Sequence, residues 1–507
     1  MPTGGLFTLC DLLLRRAGSK SIAVVDGEER ITYDALLDRS RRLAAALRAK
    51  GVGRGQRVGI FLRKSARALE SLFATHFLGG VAVFLNEKLR VQQVNHILAH
   101  AEACCLVTEQ ALLRTAPGIE MDPGKVLEVD GLVLPEERVL ETPAIGADLA
   151  LLIYTSGSTG LPKGIMLSHR NLLEGAHTVS DYLEITERDV LISILPFSFD
   201  YGLNQVTTSF LKGATLVLQR SMFPADICGA LQREKVTGMA GVPMLWSQLA
   251  QSYSPFLKTT FPFLRYMTNS GGHFPRALVE QYRKAHPKVD LFLMYGLTEA
   301  FRSTYLPPRE VDRKRDSMGR AIPNVEILVV DERGKECGPG QPGELVHRGA
   351  HIALGYWRDP AATARVYRPH PLQADRHGRT ETVVYSGDVV KKDEEGFLYF
   401  VGRKDQMIKS MGFRVSPEEI EHYIQASGMV AHAAAFSVPK GDVDSEIVAV
   451  VVPKDPAAFR EQELLEYCRR EMPEYMKPAV IWRLDEFPQT SSGKPDRPRL
   501  KEAYRAR

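Results

Sequence analysis

Residues 149–164 read LALLIYTSGSTGLPKG, and this stretch decides how the chain is interpreted. An apolar run, Leu149 to Ile153, is typical of a buried strand, and it leads into a loop of hydroxyls and glycines that Lys163 closes. Small residues let backbone N–H groups approach phosphate oxygens, hydroxyls donate further hydrogen bonds, and a lysine offsets negative charge. The loop therefore predicts a phosphate-binding site. Its candidate ligands are Thr155, Ser156, Gly157, Ser158, Thr159, Gly160 and Lys163.

Two other interpretations of this loop are disfavoured. The spacing is not GxxxxGK[ST], because Leu161 and Pro162 separate the last glycine from Lys163, so an ordinary P-loop NTPase does not fit. A flexible Ser/Gly linker fits poorly as well, since linkers seldom follow a buried strand and end in Pro-Lys-Gly.

The rest of the chain predicts an α/β fold. Helix and strand signals alternate from the N-terminus, with Thr32 and Ser65 as helix N-caps, and this rhythm indicates helices packed on mostly parallel sheets. Strand-turn-strand signals follow from about residue 325, and Ser416 opens a helix in a region of mixed signals. We expect a large N-terminal domain (1–403) with a β-rich subdomain (about 325–403), and a small mobile C-terminal α+β domain (404–507).

Composition excludes several classes of protein. The 507 residues carry 65 Lys and Arg against 61 Asp and Glu, a net charge of +4, so nothing points to nucleic acid. Six scattered cysteines without metal-ligand spacing indicate reduced thiols in a cytoplasmic protein, and adjacent Cys104 and Cys105 fit a buried strand. No secretory leader and no run of about 18 apolar residues is present, so no transmembrane segment is expected.

Further motifs follow the loop in an order that identifies a family. Asn269-Ser-Gly271-Gly272, Tyr295-Gly296-Leu-Thr298-Glu299, Tyr385-Ser-Gly-Asp388, Gly402-Arg403-Lys-Asp405, Lys409 to Arg414 (KSMGFR) and Thr490-Ser-Ser-Gly-Lys494 come in sequence. Together they resemble the adenylate-forming superfamily of acyl-CoA synthetases, peptide-synthetase adenylation domains and luciferases, over nearly the whole chain. Within it, the region from Gly175 to Trp246 looks closest to bacterial acyl-CoA ligases found with exopolysaccharide and exosortase systems.

The resemblance implies a role for each motif. It places Gly271, Gly272, Tyr295 and Gly296 around adenine, Thr298 on phosphate and Glu299 on Mg²⁺. Asp388 and Arg403 would meet the ribose, and Asp405 would be a hinge. Lys494, with Glu299 and Thr298, would be catalytic, and Lys409, Gly412 and Phe413 would form a thiol tunnel. The cofactors implied are ATP, Mg²⁺ and coenzyme A, or the phosphopantetheine of a carrier protein.

The acid and the thiol stay open. The candidate acyl pocket comprises Phe199, Asp200, Asn204 and Trp246. Asp200 matches the aspartate that pairs with the α-ammonium group in amino-acid-activating relatives, but Tyr201 and Gly202 depart from that pattern, which favours a non-amino acid with Asp200 bracing the adjoining helix. Coenzyme A is the simpler acceptor.

Three other functions are alternatives to an acyl-CoA ligase. One is a stand-alone amino-acid adenylating enzyme that loads a separate carrier protein. A silent nucleotide sensor fits poorly with five retained site residues, namely Lys163, Glu299, Asp388, Arg403 and Lys494. A luciferase-like oxygenase is the most remote of the three.

Overall fold

The structure of the chain is a computed structural model. The structure describes residues 5–156, 162–373, 380–404, 408–410, 413–440, 444–472, 476–489 and 495–507. Two compact units divide the chain: the first comprises Met1–Ile327 and His347–Val384, the second Leu328–Val346 and Tyr385–Arg507.

Helices and strands alternate through most of the first unit, and further helices and strands form the second unit. The helices are α1 (Asp11–Leu14), α2 (Tyr33–Ala49), α3 (Ala66–Phe77), α4 (Val91–Ala101), α5 (Gln110–Thr115), α6 (His169–Tyr182), α7 (Asp200–Lys212), α8 (Pro224–Arg233), α9 (Pro243–Leu249), α10 (Arg276–Ala285), α11 (Pro360–Val366), α12 (Pro417–Ala426), α13 (Glu461–Glu471) and α14 (Arg497–Arg505). The strands are β1 (Ile22–Asp26), β2 (Glu29–Thr32), β3 (Arg57–Phe61), β4 (Val81–Phe84), β5 (Ala103–Thr108), β6 (Val126–Glu128), β7 (Leu149–Ser156), β8 (Pro162–Ser168), β9 (Val190–Ser193), β10 (Thr215–Leu218), β11 (Gly238–Gly241), β12 (Tyr266–Asn269), β13 (Asp290–Leu297), β14 (Ala300–Leu306), β15 (Arg320–Ala321), β16 (Val325–Val330), β17 (Gly343–Gly349), β18 (Gly355–Tyr356), β19 (Tyr367–Pro369), β20 (Thr382–Lys392), β21 (Leu398–Arg403), β22 (Ile408–Ser410), β23 (Phe413–Val415), β24 (Val430–Lys440), β25 (Asp444–Pro453) and β26 (Val480–Arg483).

Two large sheets form the first unit, and both are parallel at their centres. One has the order β15-β14-β13-β12-β11-β9-β10-β1-β2, with parallel pairing from β13 to β1 and antiparallel strands at either edge. The other has the order β18-β8-β7-β4-β3-β5-β6, in which β8 and β18 are antiparallel. The predicted α/β class with mostly parallel sheets is confirmed. In such sheets, ligands bind beyond the carboxyl ends of the parallel strands.

Local signals set the helix starts as predicted. The Thr32 hydroxyl accepts a hydrogen bond from Ala35 N at 3.1 Å, and that of Ser65 accepts from Ala68 N at 3.3 Å. Ser416 does the same for Glu419 N at 3.3 Å, with Pro417 at the first helical position. Each side chain satisfies a backbone donor that the helix leaves unpaired, which fixes where the helix begins.

The C-terminal region is built from smaller sheets. A five-stranded sheet has the order β16-β17-β20-β19, with β21 paired to β20. The second unit also contains the hairpin β22-β23 and the sheet β24-β25-β26, and α12 and α13 supply Ile420, Ile424 and Leu464 to its apolar core. A large sheet domain followed by a smaller α+β region agrees with the predicted architecture. The boundary at residue 404 stays a prediction.

Two further expectations concern the membrane and the cysteines. None of the helices in the described ranges combines the length and apolar character that crossing a bilayer needs. Cys104 and Cys105 lie in β5, as predicted, and all six cysteines are free thiols.

Candidate active site

The glycine- and hydroxyl-rich segment joins two antiparallel strands. β7 extends through Thr155 and Ser156, and β8 begins at Pro162, so that Thr155 pairs with Lys163. The sequence placed all three of the residues Thr155, Ser156 and Lys163 in the loop; the backbone ladder instead continues through them and shortens it. Gly157, Ser158, Thr159 and Gly160 lie outside the described residues.

Glu299 stands at the tip of a second hairpin. Leu297 pairs with Ala300, so Thr298 and Glu299 form the two-residue connection between β13 and β14. The Glu299 carboxylate accepts a hydrogen bond from the Tyr356 hydroxyl, with 2.7 Å between the oxygens. Lys163 Nζ lies 5.8 Å from the centre of the same tyrosine ring. Tyr356 therefore brings the predicted metal ligand and the predicted phosphate-binding lysine to one place.

The Tyr295 ring lies parallel to a buried histidine. Its centroid is 6.0 Å from that of His347, with 16° between the ring planes. His347 is completely buried, and burial lowers its pKa to about 3, so its ring is neutral. The half-buried Tyr295 ring, backed by this uncharged imidazole, is a flat aromatic surface next to the hairpin. Such a surface suits a nucleobase face.

Gly296 allows two backbone segments to approach closely. A Cβ at this position would lie 2.7 Å from Arg302 N and 2.9 Å from Arg302 Cα, closer than carbon atoms pack. Glycine is therefore required here so that β13 can lie against β14 as the chain leaves the Thr298–Glu299 turn.

The segment Asn269–Gly272 begins at the last residue of the parallel strand β12. The Asn269 side-chain amide donates to Gly272 O at 3.1 Å and closes the turn. A Cβ on Gly271 would meet the Phe199 ring at 3.6 Å, so the predicted adenine-side segment and the predicted acyl pocket are neighbours.

Asp200 is the first residue of α7, and its side chain is buried. Burial raises the pKa of Asp200, although the nearby Arg302 guanidinium and the backbone N–H groups at the start of the helix lower it. An acid in the first turn suits the positive end of a helix, and the bracing role of Asp200 stays a prediction.

Asn204 lies one helical turn after Asp200. It is 2% exposed, and its side-chain amide donates weakly to Thr207 Oγ1 at 3.5 Å. Gly202 is fixed by contact, because a Cβ there would meet Pro196 O at 2.1 Å. The departure from the amino-acid pattern at Gly202 thus has a packing reason.

Arg302 is a buried cation next to Asp200 that the sequence did not reveal. It is 2% exposed, and its guanidinium carbon lies 3.9 Å from the centre of the Tyr201 ring. Its Nη1 donates to Ser270 Oγ at 3.0 Å. Its position on β14, beyond the predicted Glu299 motif, gave no local signal of a role.

Trp246 lies in a different environment. It is fully buried in an aromatic cluster, with centroid distances of 5.4 Å to Tyr282, 6.2 Å to Phe274 and 6.4 Å to Phe256. Its role in the acyl pocket stays a prediction.

In the second unit, Asp388 and Arg403 are paired. They face each other across β20 and β21, and Arg403 Nη1 donates to the Asp388 carboxylate at 2.7 Å. Asp388 is 5% exposed, so this bond compensates a largely buried charge. Lys409 and Phe413 lie in the hairpin β22-β23. Asp405, Gly412 and Lys494 lie outside the described residues.

Sequence reasoning missed Tyr356, His347 and Arg302. Tyr356 follows a glycine and precedes a tryptophan, and the only local hint was this aromatic pair in a β-rich region. All three residues make their contacts in the site with residues that are distant in the sequence.

Comparison with known proteins finds matches in one enzyme family over nearly the whole chain. The family model described as AMP-binding enzyme matches residues 14–357, and that of the AMP-binding enzyme C-terminal domain matches residues 419–494. Feruloyl-CoA synthase from an Amycolatopsis species is 30% identical over 483 residues, covering 94% of this chain and 95% of that protein. One polypeptide of the linear gramicidin synthase of Brevibacillus parabrevis is 31% identical over 484 residues, covering 94% of this chain. The chain spans only 9% of the length of that polypeptide.

A solved structure is similar over its full length. The O-succinylbenzoate coenzyme A synthetase of Bacillus subtilis, in complex with ATP and a magnesium ion, superposes with a TM-score of 0.86 at 27% identity, covering 97% of this chain and 99% of that one. The motifs, the fold and the family model, which covers more than half of the sequence, agree. The chain belongs to the family of AMP-binding, adenylate-forming enzymes.

Proposed function

We propose that this protein is an AMP-forming acid–thiol ligase, which activates a carboxylic acid with ATP as an acyl-adenylate and transfers the acyl group to coenzyme A. The observation that carries the proposal is the contact of Tyr356 with both Glu299 and Lys163. A carboxylate suited to a metal and a lysine suited to phosphate are held together by one side chain.

The chemical problem is attack by a weak nucleophile on a negatively charged phosphate. A carboxylate oxygen of the acid forms a bond to the α-phosphorus of ATP, and pyrophosphate leaves with the bridging oxygen. A carboxylate needs no deprotonation, so the protein acts by positioning the reactants and neutralising charge. Lys163 offsets charge on the departing pyrophosphate, and by family resemblance Lys494 bonds the carboxylate and α-phosphoryl oxygens.

The residues around Glu299 fit a magnesium ion. Mg²⁺ is usually held by one or two protein carboxylates, with substrate phosphates and waters completing its shell, and one carboxylate fixed by a tyrosine meets that requirement. When bound, the ion would supply positive charge to the phosphate oxygens. Thr298, the other residue of the hairpin tip, would donate its hydroxyl to phosphate.

The second step transfers the acyl group. The thiol sulfur attacks the carbonyl carbon, AMP leaves with the oxygen that came from the acid, and the thiol proton goes to solvent. We propose that the C-terminal region rotates about Asp405 between the steps, so that Lys494 withdraws and the Lys409–Arg414 loop takes its place. Gly412 and Phe413 belong to that loop.

Two relatives favour coenzyme A as the acceptor. The feruloyl-CoA synthase and the O-succinylbenzoate synthetase match this chain over nearly their whole lengths, and both are named for coenzyme A chemistry. Cytoplasmic activity is part of the proposal, because ATP and coenzyme A are available there and all six cysteines are free. Association with exopolysaccharide or exosortase systems stays a prediction.

The test is product analysis with a panel of fatty, aryl and amino acids. The protein, ATP and Mg²⁺ are incubated with each acid and coenzyme A, and AMP, pyrophosphate and the acyl thioester are measured together. Equal amounts of all three products support the ligase. Adenylate formation without thioester, for every acid activated, would contradict the choice of acceptor.

A second candidate, an amino-acid adenylating enzyme that loads a carrier protein, is favoured by the buried Asp200 and by the likeness to linear gramicidin synthase. It predicts ATP–pyrophosphate exchange in the presence of amino acids but not in the presence of the corresponding deaminated acids. Under this candidate Asp200→Asn would remove that preference, and thioester would form on a phosphopantetheinylated carrier protein rather than on coenzyme A.

A further inference from the structure

Arg302 is a buried charged group to which the proposed mechanism assigns no role. It is 2% exposed and has a φ of 49°, in the left-handed region that a residue with a side chain rarely occupies. Such backbone conformations cost free energy and cluster at functional sites. This conformation lies where the ladder between β13 and β14 is irregular, and it holds the guanidinium in the interior.

One edge of this guanidinium is unused. Nη1 donates to Ser270 Oγ, whereas Nε and Nη2 are buried and have no hydrogen-bond partner in the described part of the chain. These two nitrogens point their N–H groups in parallel along the same edge of the guanidinium plane. Two parallel donors of this kind match the two oxygens of a carboxylate. Leaving buried charged donors unpaired is unfavourable, so the edge is suited to a ligand.

Arg302 lies near the candidate acyl site. Ser270, which fixes Arg302, directly precedes Gly271, and Gly271 lies against Phe199. The Tyr201 ring lies against the guanidinium, and the hydroxyl groups of Tyr201 and Thr268 form a hydrogen bond near the end of β12. Arg302 is therefore placed at the carboxyl ends of the parallel strands, where α/β sheets bind ligands.

The neighbouring acid is compatible with an incoming anion. Burial raises the pKa of Asp200, so that this carboxyl takes up a proton more readily than an exposed aspartate when a second negative charge approaches. The positive charge of Arg302 is then available to the ligand rather than balanced by Asp200.

We propose, resting on the proposed ligase function, that the acid substrate carries a second carboxylate, and that the Nε and Nη2 edge of Arg302 binds it. The first carboxylate reacts with ATP and the second orients the molecule. Arg302 is then the residue that determines specificity for dicarboxylic acids.

The experiment compares matched acids in acid-dependent ATP–pyrophosphate exchange. Short dicarboxylic acids are measured beside the monocarboxylic acids of the same carbon number, with the wild type, Arg302→Met and Arg302→Lys. Arg309→Met is the matched control, because the Arg309 side chain is 84% exposed. We expect the wild type to prefer dicarboxylic acids, and Arg302→Met to lose about 10²-fold in kcat/KM for these alone, as removal of a bidentate charged contact predicts.

The lysine variant separates charge from geometry. It keeps a buried positive charge but lacks the parallel donors, so it should retain folding and lose part of the preference for dicarboxylic acids. If Arg302→Met does not fold, two measurements still test the subsite. One is the acid preference of Arg302→Lys, and the other is the thermal stabilisation of the wild type by a dicarboxylic acid compared with its monocarboxylic partner.

The outcomes distinguish the inference from the function on which it rests. A wild type that prefers monocarboxylic acids, or a folded Arg302 variant that loses both acid classes equally, overturns the dicarboxylate subsite and leaves the ligase standing. Exchange with fatty, aryl or amino acids but with none of the short dicarboxylic acids also overturns the subsite, whereas absence of exchange with every acid of all these classes would overturn the proposed function.

Discussion

Removing the Tyr356 hydroxyl tests the arrangement that supports the proposed activity. Tyr356→Phe keeps the ring beside Lys163 and removes the hydroxyl that donates a 2.7 Å hydrogen bond to Glu299. A hydrogen bond to a charged group contributes about 1.5–3 kcal/mol, and loss of a residue that orients a metal ligand lowers metal affinity or activity by about 10–100-fold. Because Glu299 is half-buried rather than enclosed, we expect the lower end, about tenfold.

The assay is pyrophosphate exchange over a magnesium titration at fixed ATP. The half-saturating Mg²⁺ concentration should rise about tenfold in Tyr356→Phe, while the rate at saturating Mg²⁺ changes less. Tyr367→Phe is the control, because Tyr367 packs edge-on against Tyr356 at 5.9 Å and its buried hydroxyl has no partner among the described residues. An unchanged magnesium profile in Tyr356→Phe, or an equal shift in Tyr367→Phe, would refute the reasoning.

Three further predictions concern catalysis, pH and packing. Lys494→Ala should lower adenylate formation by about 10²–10³-fold but spare thiol transfer from preformed acyl-adenylate. Asp405→Pro should impair thiol transfer more than adenylate formation. Equal loss in both half-reactions for Lys494→Ala would contradict its role. Burial lowers the pKa of His76 to about 3 from 6.5, so between these values the unfolded chain binds a proton there that the folded chain does not. His76 alone should therefore lower stability by about 1.4 kcal/mol for each pH unit of acidification from pH 6.5 toward pH 3. Urea unfolding at falling pH measures this, His76→Gln should reduce the slope, and equal slopes in both proteins would contradict it. Trp246→Ala should cost about 3–5 kcal/mol of unfolding free energy, and altered acid selectivity at unchanged stability would contradict the packing role.

Residues whose role depends on near neighbours could be predicted from the sequence. Thr32, Ser65 and Ser416 cap helices through bonds to backbone groups three residues away, and such signals are local. The alternation of helices and buried strands likewise predicted the α/β class and the parallel centres of the large sheets.

The contacts that the sequence did not reveal depend on which strands pair in the sheets. β18 lies against β8 nearly two hundred positions later, and this pairing carries Tyr356 to Lys163. β14 folds back against β13, which brings Arg302 beside Asp200. Sequence spacing does not encode these approaches, because they follow from sheet order. The same sheet order extended β7 and β8 through Thr155 and Lys163, which the sequence had placed in a loop.

The most direct test of the central claim follows the oxygen atoms of the acid. An acid that supports exchange is labelled with oxygen-18 in its carboxylate and turned over with ATP and coenzyme A, and the AMP is analysed by mass spectrometry. Activation through an acyl-adenylate predicts one labelled oxygen in AMP for each thioester formed. Unlabelled AMP, or label in inorganic phosphate instead, would contradict adenylate formation by this protein.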